Sequence, residues 1–217
     1  MVNYNIDFDR ERRIGLPEVV YGSEKSLEDL HKILEHYVTN GKNVLVTKLQ
    51  KKKAISLTRK YPKATFDQHS GVFILKSLKE ISESGEVAII SAGTSDVHVM
   101  NEAFYALYFM GIKAERINDV GVAGIHRLLD KIEELKAYKV LIVVAGFEGA
   151  LPTVVGGLLQ QPIIAVPTAV GYGVAKGGRV ALNSMLTSCA SGVTVMNINN
   201  GYGAAMAAIR ILNLIKR

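Results

Sequence analysis

The chain of 217 residues is 48% apolar with a mean hydropathy of +0.18, enough core material for one large domain or a medium domain with a small appendage, which excludes disorder for its bulk. A formal net charge of +6 gathers in the first ~80 positions, at Arg10, Arg12, Arg13 and Lys51-Lys52-Lys53. With no zinc-finger spacing, no aromatic-basic RNA motif and no tryptophan, it points to a small polyanionic substrate and not to nucleic acid. In chain order, an extended segment near Glu18–Tyr21 precedes Ser26-Leu-Glu-Asp29, a capping-box-like start. From there an amphipathic helix runs through Leu27, Leu30, Ile33, Leu34 and Tyr37 to Gly41. A strand at Asn43–Thr47, a basic helix at Lys51–Lys60 and an extended stretch at Val72–Leu75 complete a small amino-terminal α/β unit, residues 1–82. The polar run Ser82-Glu-Ser-Gly-Glu86 marks its boundary with a second domain, 83–217.

From Val87 on, short β-branched runs alternate with helical patterns. The strands are Val87–Ile90, Lys113–Ile117, Val140–Ala145, Ile163–Val166 and Val193–Ile198. Helices are expected at Asp96–Met110, Val122–Leu135, Ala150–Leu159, Gly178–Leu186 and Tyr202–Ile215. Continuous apolar strands separated by helices predict a three-layer α/β fold, a parallel sheet covered on both faces in the flavodoxin-like or Rossmann-like manner. Ligands then bind in the loops at the carboxyl ends of the strands. The apolar stretch Val154–Val174 is broken by Gln160, Gln161, Pro162 and Pro167, so no membrane span is expected. The opening Met-Val-Asn-Tyr-Asn-Ile lacks a signal pattern, and a lone cysteine suits a reducing compartment; both read as cytoplasmic.

Four loops carry candidate chemistry. Ser91-Ala-Gly-Thr-Ser-Asp96 opens a helix, so its amides and the hydroxyls of Ser91, Thr94 and Ser95, with Gly93 for close approach, can meet an anion; Ser95 or Asp96 as a plain helix cap is the alternative. The loop is neither Gly-x-Gly-x-x-Gly nor a Walker loop, which disfavours nicotinamide Rossmann enzymes and nucleoside triphosphatases. Ala145-Gly-Phe-Glu-Gly-Ala-Leu-Pro152 sets Glu148 between Gly146 and Gly149, as a first-turn acid or as a poised carboxylate. Pro167-Thr-Ala-Val-Gly-Tyr-Gly-Val-Ala-Lys-Gly-Gly178 has the composition of a covering loop, with Gly171, Gly173 and Lys176 available to a ligand, or of a passive crossover. Asn197-Ile-Asn-Asn-Gly-Tyr-Gly203 closes the last strand similarly.

Cys189, the only cysteine, lies in Ser184-Met-Leu-Thr-Ser-Cys-Ala-Ser-Gly192. Its two uses are core packing and chemistry; a thiol is partly ionised near neutral pH and needs no triad. His126, after the Asn118-Asp119 turn, is structural or catalytic on the same terms. No histidine pair has metal-ligand spacing, so a zinc enzyme is not expected.

Taken together, Ser91-Ala-Gly-Thr-Ser-Asp96, Asp119-Val-Gly-Val-Ala-Gly-Ile-His-Arg127, the Glu148 and Tyr172 loops, the Cys189 segment and Asn199-Asn-Gly-Tyr-Gly203 resemble one family. It is the pyridinium-3,5-biscarboxylic acid mononucleotide synthases, the first enzymes of nickel-pincer nucleotide cofactor synthesis. Asp7-x-x-Arg10-x-x-Arg13-x-Gly15-x-Pro17-Glu18-Val19-Val20 extends the similarity over nearly the whole chain. The carboxyl-terminal half is also similar to aminoimidazole ribonucleotide carboxymutases, which assemble as octamers. His98 stands where the family often has proline, Phe147 where methionine is usual and Asn199 where aspartate is common.

The resemblance implies carboxylation of nicotinic acid adenine dinucleotide at C5, from carbon dioxide or bicarbonate, and hydrolysis of its phosphoanhydride with release of AMP. It makes Cys189 the nucleophile and Glu148 or His126 the proton acceptor. It gives Ser91, Gly93, Thr94, Ser95, Asp96, Asp119, Gly146, Gly149, Gly171, Gly173 and Lys176 to substrate. Asp96 would also hold a magnesium ion, with no organic cofactor, in a homo-oligomer that by analogy is an octamer. A purine-pathway carboxymutase, using a histidine and needing neither the thiol nor the amino-terminal unit, and a non-catalytic nucleotide-binding module are the alternatives.

Overall fold

Apolar runs too short for helices and rich in valine and isoleucine become strands, and the computed structural model describes them within residues 4–75 and 85–215. The chain divides into two units, Met1–Lys79 and Glu80–Arg217. The expected boundary at residues 82 and 83 lies outside the described residues.

In the first unit the elements are α1 (Arg10–Ile14), β1 (Val20–Tyr21), α2 (Leu27–Thr39), β2 (Val44–Thr47), α3 (Lys51–Lys60), β3 (Thr65–Asp67) and β4 (Val72–Leu75). The sheet runs β1-β2-β4-β3, with β1 parallel to β2 and the other pairs antiparallel. Ser26 caps α2 by accepting the Asp29 N–H at 3.0 Å, and the helix's apolar stripe, Leu30, Ile33, Leu34 and Tyr37, buries against Val44, Val46 and Phe73. Burial pushes the Tyr37 phenol pKa up. Neither α1 nor β3 is legible in the hydrophobic pattern: α1 buries none of its residues, and β3 is three residues with no buried position.

The second unit contains β5 (Val87–Ser91), α4 (Val97–Phe109), β6 (Ala114–Ile117), α5 (Ile125–Leu129), α6 (Ile132–Leu135) and β7 (Val140–Ala145), then α7 (Leu151–Leu158), β8 (Ile163–Pro167), α8 (Arg179–Leu186), β9 (Val193–Val195) and α9 (Gly201–Ile215). All five strands are parallel in the order β6-β5-β7-β8-β9, and β5, β7 and β8 are buried at every position. Alternate side chains serve opposite faces. Ala88, Ile90, Leu141, Val143 and Ala165 meet Leu128, Leu135, Leu151, Val155 and Met185 of α5 to α8 on one side, while α4 and α9 cover the other. This is the expected three-layer parallel fold.

The helix expected over 122–135 is interrupted. A 3₁₀ turn at Val122–Gly124 leads into α5, and α6 starts only after Lys131, whose backbone drifts to φ −101°, ψ −4°. Leu128 and Leu135 still reach the core from the two short pieces. The last strand ends at Val195, short of the expected Ile198.

Candidate active site

The strand order reverses beside β5, since the chain steps from β5 outward to β6 and then returns to β7 on the other side. In a parallel sheet this opens a crevice at the carboxyl ends. Asp96 holds the loops that line it. The residue is 4% exposed and closes a 3₁₀ turn, Thr94–Asp96, ahead of α4. Its Oδ2 accepts the Gly93 N–H at 3.1 Å, its Oδ1 accepts the Thr168 hydroxyl at 2.7 Å, and the Gly146 N–H faces the same carboxylate. Burial raises the Asp96 pKa, and these three donors oppose the rise by favouring the charged form. One carboxylate thus ties together the loops after β5, β7 and β8.

Glycine is required where those loops touch. A Cβ on Gly146 would stand 2.6 Å from both the Thr168 hydroxyl and the Val170 carbonyl oxygen. Gly149 has φ +65° and its Cβ would lie 2.8 Å from the Ala181 carbonyl of α8, while Gly178, at φ +80°, sits against the Thr168 carbonyl. Gly171, at φ +148°, packs on Ala175, whereas Gly173, at φ +56°, has open space around it. Lys176 is exposed at the kink of the 173–178 segment, where it, at φ −58° and ψ 132°, and Gly177, at φ 83° and ψ 5°, both leave the helical region.

The remaining predicted residues divide into those turned inward and those open to solvent. Ser91 is fully buried and its hydroxyl donates to Asn118 Oδ1 at 2.5 Å, so it braces the β6 loop. Thr94 and Ser95 are exposed, and the Ser95 carbonyl accepts from His98 Nδ1 at 3.0 Å. Asp119, in the left-handed region at φ +62°, pairs with Arg127, whose guanidinium fits because Gly124 has no Cβ. His126 and Glu148 are exposed, the first on α5 and the second between Phe147 and Gly149, both with positive φ. Cys189 is exposed on the segment joining α8 to β9. That segment lies along α7: Ser188 Oγ is 2.7 Å from Thr153 Oγ1, and Ala190 sits where a Cβ on Gly156 would come within 3.0 Å. It then enters the sheet at Val193 opposite Ile163, the first residue of β8. Hydrogen bonds therefore gather Gly93, Asp96, Gly146 and Thr168 into one node, while Cys189, Glu148 and His126 stand open on three separate segments.

The arrangement does not fit a magnesium role for Asp96. Both carboxylate oxygens accept donors from the loops, the group is enclosed, and the described residues hold no cluster of three or more His, Cys, Asp or Glu able to cage a cation. Thr168, Asn118 and Arg127 were not singled out by sequence reasoning. Their partners lie 72, 27 and 8 residues away, and only folding pairs them.

A parallel five-stranded sheet in this order, with glycine-rich loops at its carboxyl ends, defines a flavodoxin-like α/β domain of the AIR carboxylase fold. Residues 86–217 match the family model described as AIR carboxylase and residues 2–77 the LarB/PurE-like N-terminal domain; the chain belongs to this LarB/PurE family, which carries a carboxylase-type function. An uncharacterized protein of Methanocaldococcus jannaschii is 37% identical over 98% of this chain and 85% of its own length. Two crystal structures of PurE from Treponema denticola, one of them a point variant, superpose with TM-scores of 0.50 at 24% and 23% identity. They cover 59% of this chain and 79% and 80% of theirs, and bear on the fold alone. No helix among the described residues is long and apolar enough to cross a membrane.

Proposed function

We propose that this protein carboxylates the pyridinium ring of nicotinic acid adenine dinucleotide at C5 and hydrolyses the phosphoanhydride, giving pyridinium-3,5-biscarboxylic acid mononucleotide and AMP. The observation that carries this reading is the exposure of the Cys189 thiol in a chain whose amino-terminal unit is LarB/PurE-like. A cationic pyridinium has no electron pair to offer carbon dioxide; a thiolate supplies one. Addition of Cys189 Sγ to C4 turns the ring into a neutral dihydropyridine in which C5 is an enamine carbon. That carbon gives its pair to carbon dioxide, forming the new C–C bond and an iminium. A base then takes the C5 proton, and the thiolate leaves with its bonding pair as the ring regains aromaticity. Glu148 or His126 takes that proton, a role worth about 10²–10⁴-fold. Thr94 and Ser95, exposed at the start of α4, receive phosphate or ribose, with Lys176 as counter-charge. Asp96 acts by holding the loops, and no step passes through a metal. The enzyme works in the cytoplasm, where its thiol stays reduced, and as a homo-oligomer.

The test is mass spectrometry of products after incubation with nicotinic acid adenine dinucleotide and bicarbonate, for wild type, Cys189→Ala and Cys189→Ser. AMP and the doubly carboxylated mononucleotide from wild type alone are expected. Their absence from folded wild type, or turnover of aminoimidazole ribonucleotide in their place, overturns the reading.

A further inference from the structure

The loops after β7 and β8 each turn one aromatic ring toward solvent. Phe147 is 43% exposed and Tyr172 is 77% exposed, so the two rings form a joint aromatic patch on the surface. Their centroids are 5.4 Å apart with planes at 90°, an edge-to-face pair. The backbone is specialised to hold them there. Phe147 occupies the left-handed region at φ +53°, costly for a residue with a Cβ, and its N–H donates to the Val170 carbonyl at 2.8 Å. Gly146 and Gly171, on either side of that contact, have no room for a side chain. Conformational cost spent on presenting an aromatic residue to water calls for a partner of matching chemistry, and the pair adjoins the Asp96 node through Gly146 and Val170.

We infer that Phe147 and Tyr172 form a stacking site for a planar heteroaromatic ring of a phosphate-bearing ligand. Tyr172 provides the open face, and Phe147, edge to face with it, sets the plane. A nucleobase and a pyridinium share the required flat π-face, and a cationic pyridinium gains further from the electron-rich rings. This deepens the proposed function, on which it rests for the identity of the ring, by naming residues that discriminate ring-bearing ligands from bare sugar phosphates.

The chain has no tryptophan, so Tyr172→Trp installs a single indole, excitable at wavelengths where the remaining tyrosines do not absorb, that can still stack. Titration of that variant with AMP, nicotinic acid mononucleotide and ribose 5-phosphate is expected to perturb its emission with one or both ring-bearing ligands and not with ribose 5-phosphate; which ring responds distinguishes base from pyridinium. Calorimetry on Tyr172→Ala is expected to show ring-bearing ligands weakened about five- to a hundredfold, with ribose 5-phosphate unchanged. Equal weakening of all three ligands, or none, overturns the inference. A change of oligomeric state by light scattering with ring discrimination intact also overturns it, making Tyr172 a subunit contact. Ring binding without turnover of nicotinic acid adenine dinucleotide defeats the proposed reaction and leaves the stacking site standing.

Discussion

Thr168→Val removes one oxygen from the Asp96 node with little change of shape. The hydroxyl donates to a carboxylate that is 4% exposed, across 2.7 Å, and accepts the Val170 N–H at 3.3 Å. Hydrogen bonds to charged groups contribute about 1.5–3 kcal/mol, and the longer contact adds a fraction of that, so a loss of about 2–3 kcal/mol is expected at neutral pH. With urea m-values of roughly 1–3 kcal/mol/M, the midpoint falls by about 1 M or more, and Thr168→Ser restores most of it. The loss depends on pH. Thr168 favours the charged form of Asp96, so the variant's deficit is complete where Asp96 is ionised and shrinks as pH falls through its folded pKa. Burial has already raised that pKa, so wild-type stability from this group declines as pH rises from the ordinary carboxylate value of 3.8 toward the raised one. A deficit below about 0.5 kcal/mol, or one that does not change between acid and neutral pH, would refute the account of Asp96 as a buried, donor-held carboxylate.

Gly149→Ala places a methyl 2.8 Å from the Ala181 carbonyl at φ +65° and is expected to cost about 1–3 kcal/mol, read by urea denaturation; wild-type stability would show that α8 can yield. Glu102, 1% exposed in α4, accepts the Gly201 N–H at 2.9 Å at the first residue of α9. Glu102→Ala strands that donor and is expected to cost about 1–3 kcal/mol, whereas Glu102→Gln keeps an acceptor and loses less; equal losses would remove the capping role. Cys189→Ala is expected to abolish carboxylation with its melting temperature unchanged, because the side chain is exposed; a large thermal shift would make the cysteine structural.

Among the predicted residues, position in the chain proved a better guide to location than to state. Gly93, Asp96, Gly146 and Gly149 all fall at strand carboxyl ends, as the alternation of apolar runs and helices required. Ser91 shares the loop with Thr94 yet faces Asn118, because it is the last residue of a fully buried strand and the loop leaving the adjacent strand β6 runs beside it. Asp96 sits at a helix start, where a carboxylate reads equally as cap, metal ligand or phosphate contact. Its surroundings make it a tie between loops. The aromatic pair escaped detection because Phe147 and Tyr172 belong to glycine-rich stretches with no periodicity, and their backbone angles are not written in residue type alone.

In the second unit hydrophobic periodicity by itself determined which segments become strands and helices, apart from the break before α6, and the end at which the loops gather, since the partition of apolar side chains from water is a local property of each segment. Which carboxylate is buried, which hydroxyl meets it and which rings stay in water were decided only by tertiary structure. Asp96 and Thr168 lie 72 residues apart, and their bond exists because β5 and β8 flank β7 in one parallel sheet. Hydrogen bonds of that kind are set by strand order and register, and no neighbouring residue along the chain encodes them.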